Sequence, residues 1–134
     1  MNISQAAGKS GLSAKTIRYY EGIGLIAPAV RGNNGYRQYD QRAVEELHFL
    51  ARARGVGFDL QECRQLLDLQ RDTKRQSRHA RELVLEKSEQ LQSRIDQLLD
   101  MQRVLQEMAS RCHGDEGPEC AILEDLSGSA GESV

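Results

Sequence analysis

Tryptophan is absent from this chain of 134 residues, prolines number two, and tyrosine and phenylalanine together supply only six residues. So few aromatics argue against sandwiches and barrels and towards helices. No apolar run exceeds a few residues, and the N-terminal stretch lacks the basic and apolar regions of a signal peptide. A membrane span and secretion are therefore disfavoured, and a cytoplasmic location is expected. Three cysteines form neither an even framework nor a C-x-x-C pair, so thiolate chemistry is expected before disulfide stapling. No Ser/His/Asp set, paired carboxylates or phosphate loop is present. Gly22-Ile23-Gly24 lacks the third glycine and following helix of a dinucleotide fingerprint. The chain is not expected to be an enzyme.

Charge is plentiful, at 28% of residues, and the net value of −2 conceals a gradient. Residues 1–54 carry +4, residues 55–111 are neutral, and residues 112–134 carry −6 with no base at all. The basic head is where an anionic polymer would bind.

Along that head, Ser4 is positioned to cap a helix through Ala7, with the turn at Gly8 to Gly11. Ser13 then caps a second helix beginning at Ala14. Leu12, ahead of this cap, can pack on Ile17 as a staple. Two short helices around a glycine-bearing turn form the helix-turn-helix pattern, which many helical hairpins share. It gains weight from the residues beyond the break at Gly22 to Pro28. Val30-Arg31 and Tyr36-Arg37-Gln38-Tyr39 flank Gly32-Asn33-Asn34-Gly35, and Asn34-Gly35 is a hairpin-turn signal. A basic hairpin behind a helix-turn-helix is a wing.

Asp40 caps the next helix, with Val44, Leu47, Leu50 and Ala51 on its apolar face, and Gly55-Val56-Gly57 ends it. Asp59 and Glu62 make a capping box for a further helix, whose Leu60, Cys63 and Leu67 share one face. Residues 77–111 hold no glycine or proline and would form a helical rod of about 50 Å. Within it, alternating steps of four and three visit Val84, Ser88, Leu91, Ile95, Leu98, Gln102, Leu105 and Ala109. Six of those eight are apolar. Nothing left in the chain is long enough to cover that stripe, so a homodimer is expected. The expected organisation is a DNA-binding domain with connecting helices (1–70), a dimerisation helix (77–111), a loop with a short helix (112–126) and a disordered tail (127–134).

Lys15 and Arg18 open the second helix, where a recognition helix presents side chains to bases and phosphates. A solvated face would look the same. The hairpin favours the DNA reading, because Arg31, Tyr36, Arg37 and Tyr39 offer cations and phenols to phosphates. Tyr19 and Tyr39 have core placement as their alternative. Arg52 and Arg54 close a helix, where cations suit the dipole without a ligand. Cys112 and Cys120 bracket a loop with two glycines and a proline. Thiolates favour soft ions, and two of them under-supply tetrahedral zinc but suffice for a two-coordinate monovalent d¹⁰ ion. An incidental or disulfide-forming pair stays open as the alternative. Cys63, on an apolar face, reads as core. His113 reads as an exposed turn residue, and His48 and His79 as structural.

The run Met1-Asn2-Ile3-Ser4, then Thr16-Ile17-Arg18-Tyr19-Tyr20-Glu21 with Gly24-Leu25, then Asn34-Gly35-Tyr36-Arg37-Gln38-Tyr39 resembles the MerR family. The resemblance continues through Val56-Gly57-Phe58, the long helix and the Cys112/Cys120 loop to about Leu126, and is nearest to the CueR-type copper-efflux regulators. It implies a mainly α fold: a winged helix-turn-helix head, a long antiparallel coiled-coil dimerisation helix and a C-terminal metal-binding loop. It implies DNA contacts from Lys15, Arg18, Arg31, Tyr36, Arg37 and Arg54. It further implies one Cu(I), Ag(I) or Au(I) ion per subunit on Cys112 and Cys120. Partners would be promoter DNA and RNA polymerase in a bacterial cytoplasm, with activation by distortion of an overlong promoter spacer. Where divalent-sensing relatives carry a further cysteine, this chain has Ser77, as monovalent sensors do. His113, Pro118 and Ala121 differ from some relatives, which leaves copper against gold open. Zinc or oxidant sensing on the same fold, and a coiled-coil adaptor without DNA, are the competing readings. The adaptor does not account for the hairpin and the charge gradient together.

Overall fold

The computed structural model describes residues 1–32, 35–112, 114 and 116–128. Its elements run α1 (Ile3–Ser10), α2 (Ala14–Gly22), β1 (Val30–Arg31), β2 (Arg37–Gln38), α3 (Gln41–Gly55), α4 (Leu60–Arg71), α5 (Ser77–Arg111) and α6 (Ala121–Leu126). The fold is mainly helical with a small wing, as expected. No helix among the described residues is long and apolar enough to cross a membrane.

The chain divides into two compact units, Met1–Lys87 and Ser88–Val134. The first contains a hydrophobic core. Ala6, Ile17, Leu47, Leu50 and Cys63 are fully enclosed there, and α1 packs on α2 and α3 while α3 packs on α4. Burying a side chain such as Ile17 or Leu47 contributes about 1.5–3 kcal/mol. Ser13 accepts from the Thr16 N–H at 3.1 Å, and Leu12, expected to staple onto Ile17, is partly buried against the core cluster to which Ile17 belongs. Lys87 closes the unit by pairing with Glu62 at 2.8 Å, 5.8 Å above the Phe58 ring.

Three local expectations are corrected. The cap of α1 is Asn2, not Ser4: Asn2 Oδ1 accepts from the Gln5 N–H and Gln5 Oε1 accepts from the Asn2 N–H, both at 2.9 Å. That reciprocal box starts the helix earlier, and it runs through Gly8 to a left-handed Gly11 at φ 84°. A glycine inside a helix costs only about 1 kcal/mol, so Gly8 does not end it. Gly22 likewise stays within α2. On α3 the buried alanine is Ala53, whereas Ala51 is half-buried.

The wing pairs antiparallel, Val30 opposite Gln38 and Arg31 opposite Arg37. Gly35 has φ 80°, the left-handed conformation that glycine adopts without strain. Asn34 of the expected turn signal lies outside the described residues, as do His113 and residues 129–134 of the expected tail. In the second unit α5 continues to Arg111 and a loop leads to α6. Among the described residues none on α5 is buried: Val84, Ile95, Leu98 and Leu105 of the expected seam are all about half exposed or more.

Candidate DNA interface and metal site

Helix α2 buries Ile17 and Tyr20 and turns Lys15, Arg18 and Tyr19 to solvent. Tyr19 and Tyr39 therefore part company: Tyr19 is 54% exposed, whereas Tyr39 is in the core at 2%. The Tyr39 hydroxyl donates to Glu21 Oε1. Burial first, then the hydrogen bond and charge of Glu21, push the Tyr39 phenol far above its ordinary pKa. It is a neutral donor at any working pH.

The wing is stiffened by its own cations. Arg31 Nη1 donates to the Gly35 carbonyl at 2.9 Å, and the Gly32 N–H to the Tyr36 carbonyl at 2.9 Å. Tyr36 is 70% exposed at the tip. Arg37 Nε donates to Glu21 Oε2 at 3.1 Å, which joins β2 to the end of α2. The structure gathers three of the six expected DNA contacts around one cavity of about 440 Å³. Arg18, Tyr36 and Arg37 line it together with Asn2, Ile3, Ser4 and Gln38. Lys15, Arg31 and Arg54 do not line it. Arg54 is exposed at the end of α3, where its Nη1 donates to the Phe58 carbonyl at 3.1 Å.

A larger cavity, about 670 Å³, lies beside Pro28, Arg42 and the Glu46–Arg71 ion pair and holds none of the expected site residues. Two contributors went unnoticed in the sequence. Glu21 is one. The other is Arg64, whose Nη1 and Nη2 donate to the Gly24 and Ile23 carbonyls at 3.2 Å and pin the loop after α2.

Cys112 follows α5 directly and Cys120 immediately precedes α6, and their sulfurs lie 3.3 Å apart as free, half-buried thiols. The backbone N–H of Leu123, then the Cys112 side chain, hold the Cys120 thiol below its ordinary pKa. The donor set suits a soft ion. At about 2.3 Å per metal–sulfur bond, a linear pair of thiolates would stand about 4.6 Å apart, so the sulfurs must part to admit an ion between them. Among the described residues no group of three or more His, Cys, Asp or Glu is placed to hold a metal. Arg111 Nη2 pairs with Asp125 Oδ2 at 2.9 Å and fastens α6 to the end of α5. Cys63 is fully buried, and its thiol is raised by desolvation, as a core cysteine should be. Ser77 is exposed at the start of α5 and belongs to the first unit.

Residues 1–70 match the family model described as MerR HTH family regulatory protein, and residues 44–108 match the one described as MerR, DNA binding. Over 130 residues the chain is 48% identical to the HTH-type transcriptional regulator HmrR of Rhizobium leguminosarum bv. viciae, covering 97% of this chain and 100% of that protein. It is 44% identical over 128 residues to the HTH-type transcriptional regulator CueR of Salmonella typhi, covering 96% and 93%. The crystal structure of a transcription regulator from Ralstonia metallidurans in complex with lead(II) matches with a TM-score of 0.82 at 28% identity. That match covers 94% of this chain and 98% of the other.

Proposed function

The chain belongs to the MerR family of helix-turn-helix regulatory proteins, and we propose that within it the protein is a Cu(I)-responsive transcription activator. It acts by binding rather than by catalysis. The dimer holds a promoter whose spacer is slightly too long for RNA polymerase, and metal binding switches the deformation energy of that DNA. Lys15, Arg18, Arg31, Tyr36, Arg37 and Arg54 supply phosphate and base contacts.

The observation that carries this reading is the pair of free thiols on Cys112 and Cys120, 3.3 Å apart. Two thiolates around a monovalent ion leave a first shell of charge −1, whereas a divalent ion would be neutralised but under-coordinated. Ag(I) and Au(I) take the same two sulfurs. Ser77, in place of a further thiol, keeps the donor set at two and so favours monovalent ions. Cys112 and Cys120 would hold the ion through two metal–sulfur bonds, which would tie the ends of the loop. The chain's response is movement of Cys112 and Cys120 and docking of the apolar side of α6. The ion must bind the activating conformation more tightly than the resting one, since equal affinity shifts nothing.

In vitro transcription with Cu(I), Ag(I) and Zn(II) tests the proposal. Cys112→Ser and Cys120→Ser should still bind the promoter but lose activation, Cys63→Ser should keep it, and Ser77→Cys should widen it towards divalent ions. Full copper activation in the double loop-cysteine variant would end the mechanism. The 3.3 Å approach also favours oxidant sensing as a second reading. Activation by peroxide in the absence of metal, with loss of two titratable thiols, would select it.

A further inference from the structure

Glu21 is an acid in a basic head, and its side chain is only 8% exposed. A buried carboxylate beside a polyanion's binding face is unfavourable unless it is neutralised and used. Both of its oxygens are engaged by the wing. Oε1 accepts from the Tyr39 hydroxyl, and Oε2 accepts from Arg37 Nε at 3.1 Å. Tyr39 is itself enclosed: it is 2% exposed, and its backbone N–H donates to the Met1 carbonyl at 2.7 Å. The carboxylate is therefore held at one oxygen by a buried core residue and grips Arg37 with the other.

The grip is at Nε. A guanidinium has five N–H donors in a rigid fork, so the four on its two Nη atoms are not used by Glu21. Arg37 also lines the cavity shared with Arg18 and Tyr36, the group of expected DNA contacts that the fold brings together. We propose that Glu21 is a positioning residue for DNA: by holding Arg37 at Nε it presents the Nη edge to a backbone phosphate and locks the wing to the recognition helix. The proposal rests on DNA binding alone and is independent of the metal response.

Positioning and simple charge give opposite signs. Removing a negative charge near a phosphate should raise affinity if only net charge counts. If Glu21 positions Arg37, Glu21→Gln should lower it, although every cation remains. Fluorescence anisotropy on a duplex selected from a random-sequence library by the wild-type chain, at several salt concentrations, reads this directly. We expect Glu21→Gln and Arg37→Ala each to lose about tenfold. Each should also reduce the magnitude of the salt slope by about 1.8, one phosphate's worth in each of the dimer's two heads. The double variant should lose no more than Arg37→Ala, because both changes remove one contact.

Arg37→Lys leaves the core untouched and serves if Glu21→Gln folds poorly. It keeps the charge but cannot divide a planar fork between carboxylate and phosphate, so it should lose nearly as much as Arg37→Ala. Unchanged or increased affinity in a folded Glu21→Gln, additive losses in the double variant, or full affinity in Arg37→Lys overturns the proposal. Failure of the wild-type chain to select any duplex overturns the DNA reading itself, and with it this inference.

Discussion

Glu46 and Arg71 join α3 to α4 through two parallel hydrogen bonds, Arg71 Nε to Oε2 at 2.8 Å and Nη2 to Oε1 at 2.9 Å. The Arg71 hydrogen bond holds the Glu46 carboxyl below the usual carboxylate range despite partial burial, and raises Arg71 in turn. Because the folded value is depressed, the pair's contribution is present above the unfolded carboxylate pKa, about 4.3, and is lost as pH falls through the lower folded value. Solvent reaches the pair, with the Arg71 side chain 35% exposed, so it is worth about 1 kcal/mol or less. Glu46→Gln should therefore lower the melting temperature by a few degrees at neutral pH and hardly at all near pH 3. Calorimetry at both pH values checks this, and a difference that persists in acid would show that the side chain stabilises by packing instead. Neither this pair nor Glu21–Arg37 was legible in the sequence, because the partners are 25 and 16 residues apart and only the folded chain sets them side by side. Cys63 was legible, since helical spacing with Leu60 and Leu67 places it on a buried face whatever surrounds it.

At the level of elements, local chemistry read well where caps and periodicity agreed. Ser13, Asp40 and Asp59 each cap the helix expected of them, and Asp59 and Glu62 complete their reciprocal box at 2.8 Å. At α1 the reciprocal box of Asn2 and Gln5 starts the helix two residues before the cap expected at Ser4, and Gly8 lies inside the helix rather than in the turn. The loop cysteines were legible as a pair but not as neighbours: a separation of eight along the chain does not by itself bring two sulfurs to 3.3 Å. The ion pair between Arg111 and Asp125 helps to do so, for it closes α6 against the end of α5 just outside both cysteines. Asp125→Asn should thus speed amide exchange across residues 121–126, while promoter binding and the melting of the first unit stay unchanged. Hydrogen exchange followed by mass spectrometry reads the difference. Protection equal to wild type would mean that α6 is held without the pair.

Helix α5 determines what the whole molecule is. Its 35 residues carry a stripe in which Leu91, Ile95, Leu98 and Leu105 are 36–64% exposed in the single chain. A contiguous apolar face of that length is an interface rather than a solvated surface. Its period, alternating three and four, matches a facing helix of the same kind, and no other described helix exceeds 15 residues. A second copy is the partner whose helix has the length and pattern to cover it. Burial of each leucine contributes about 1.5–3 kcal/mol, and Leu91 and Leu98 occur twice in a dimer. With 36% and 56% of their surfaces left to bury in the single chain, they give up only that share, and replacing both with aspartate should cost at least about 3 kcal/mol, a rise in dissociation constant of at least about a hundredfold. The core of the first unit, which includes neither residue, should stay folded, so far-UV dichroism should keep its helical form while sedimentation equilibrium reports monomers. Those monomers should lose affinity for a two-fold operator, because one head then binds without the second. An intact dimer in the double aspartate variant would place the interface elsewhere and leave the α5 stripe without a partner.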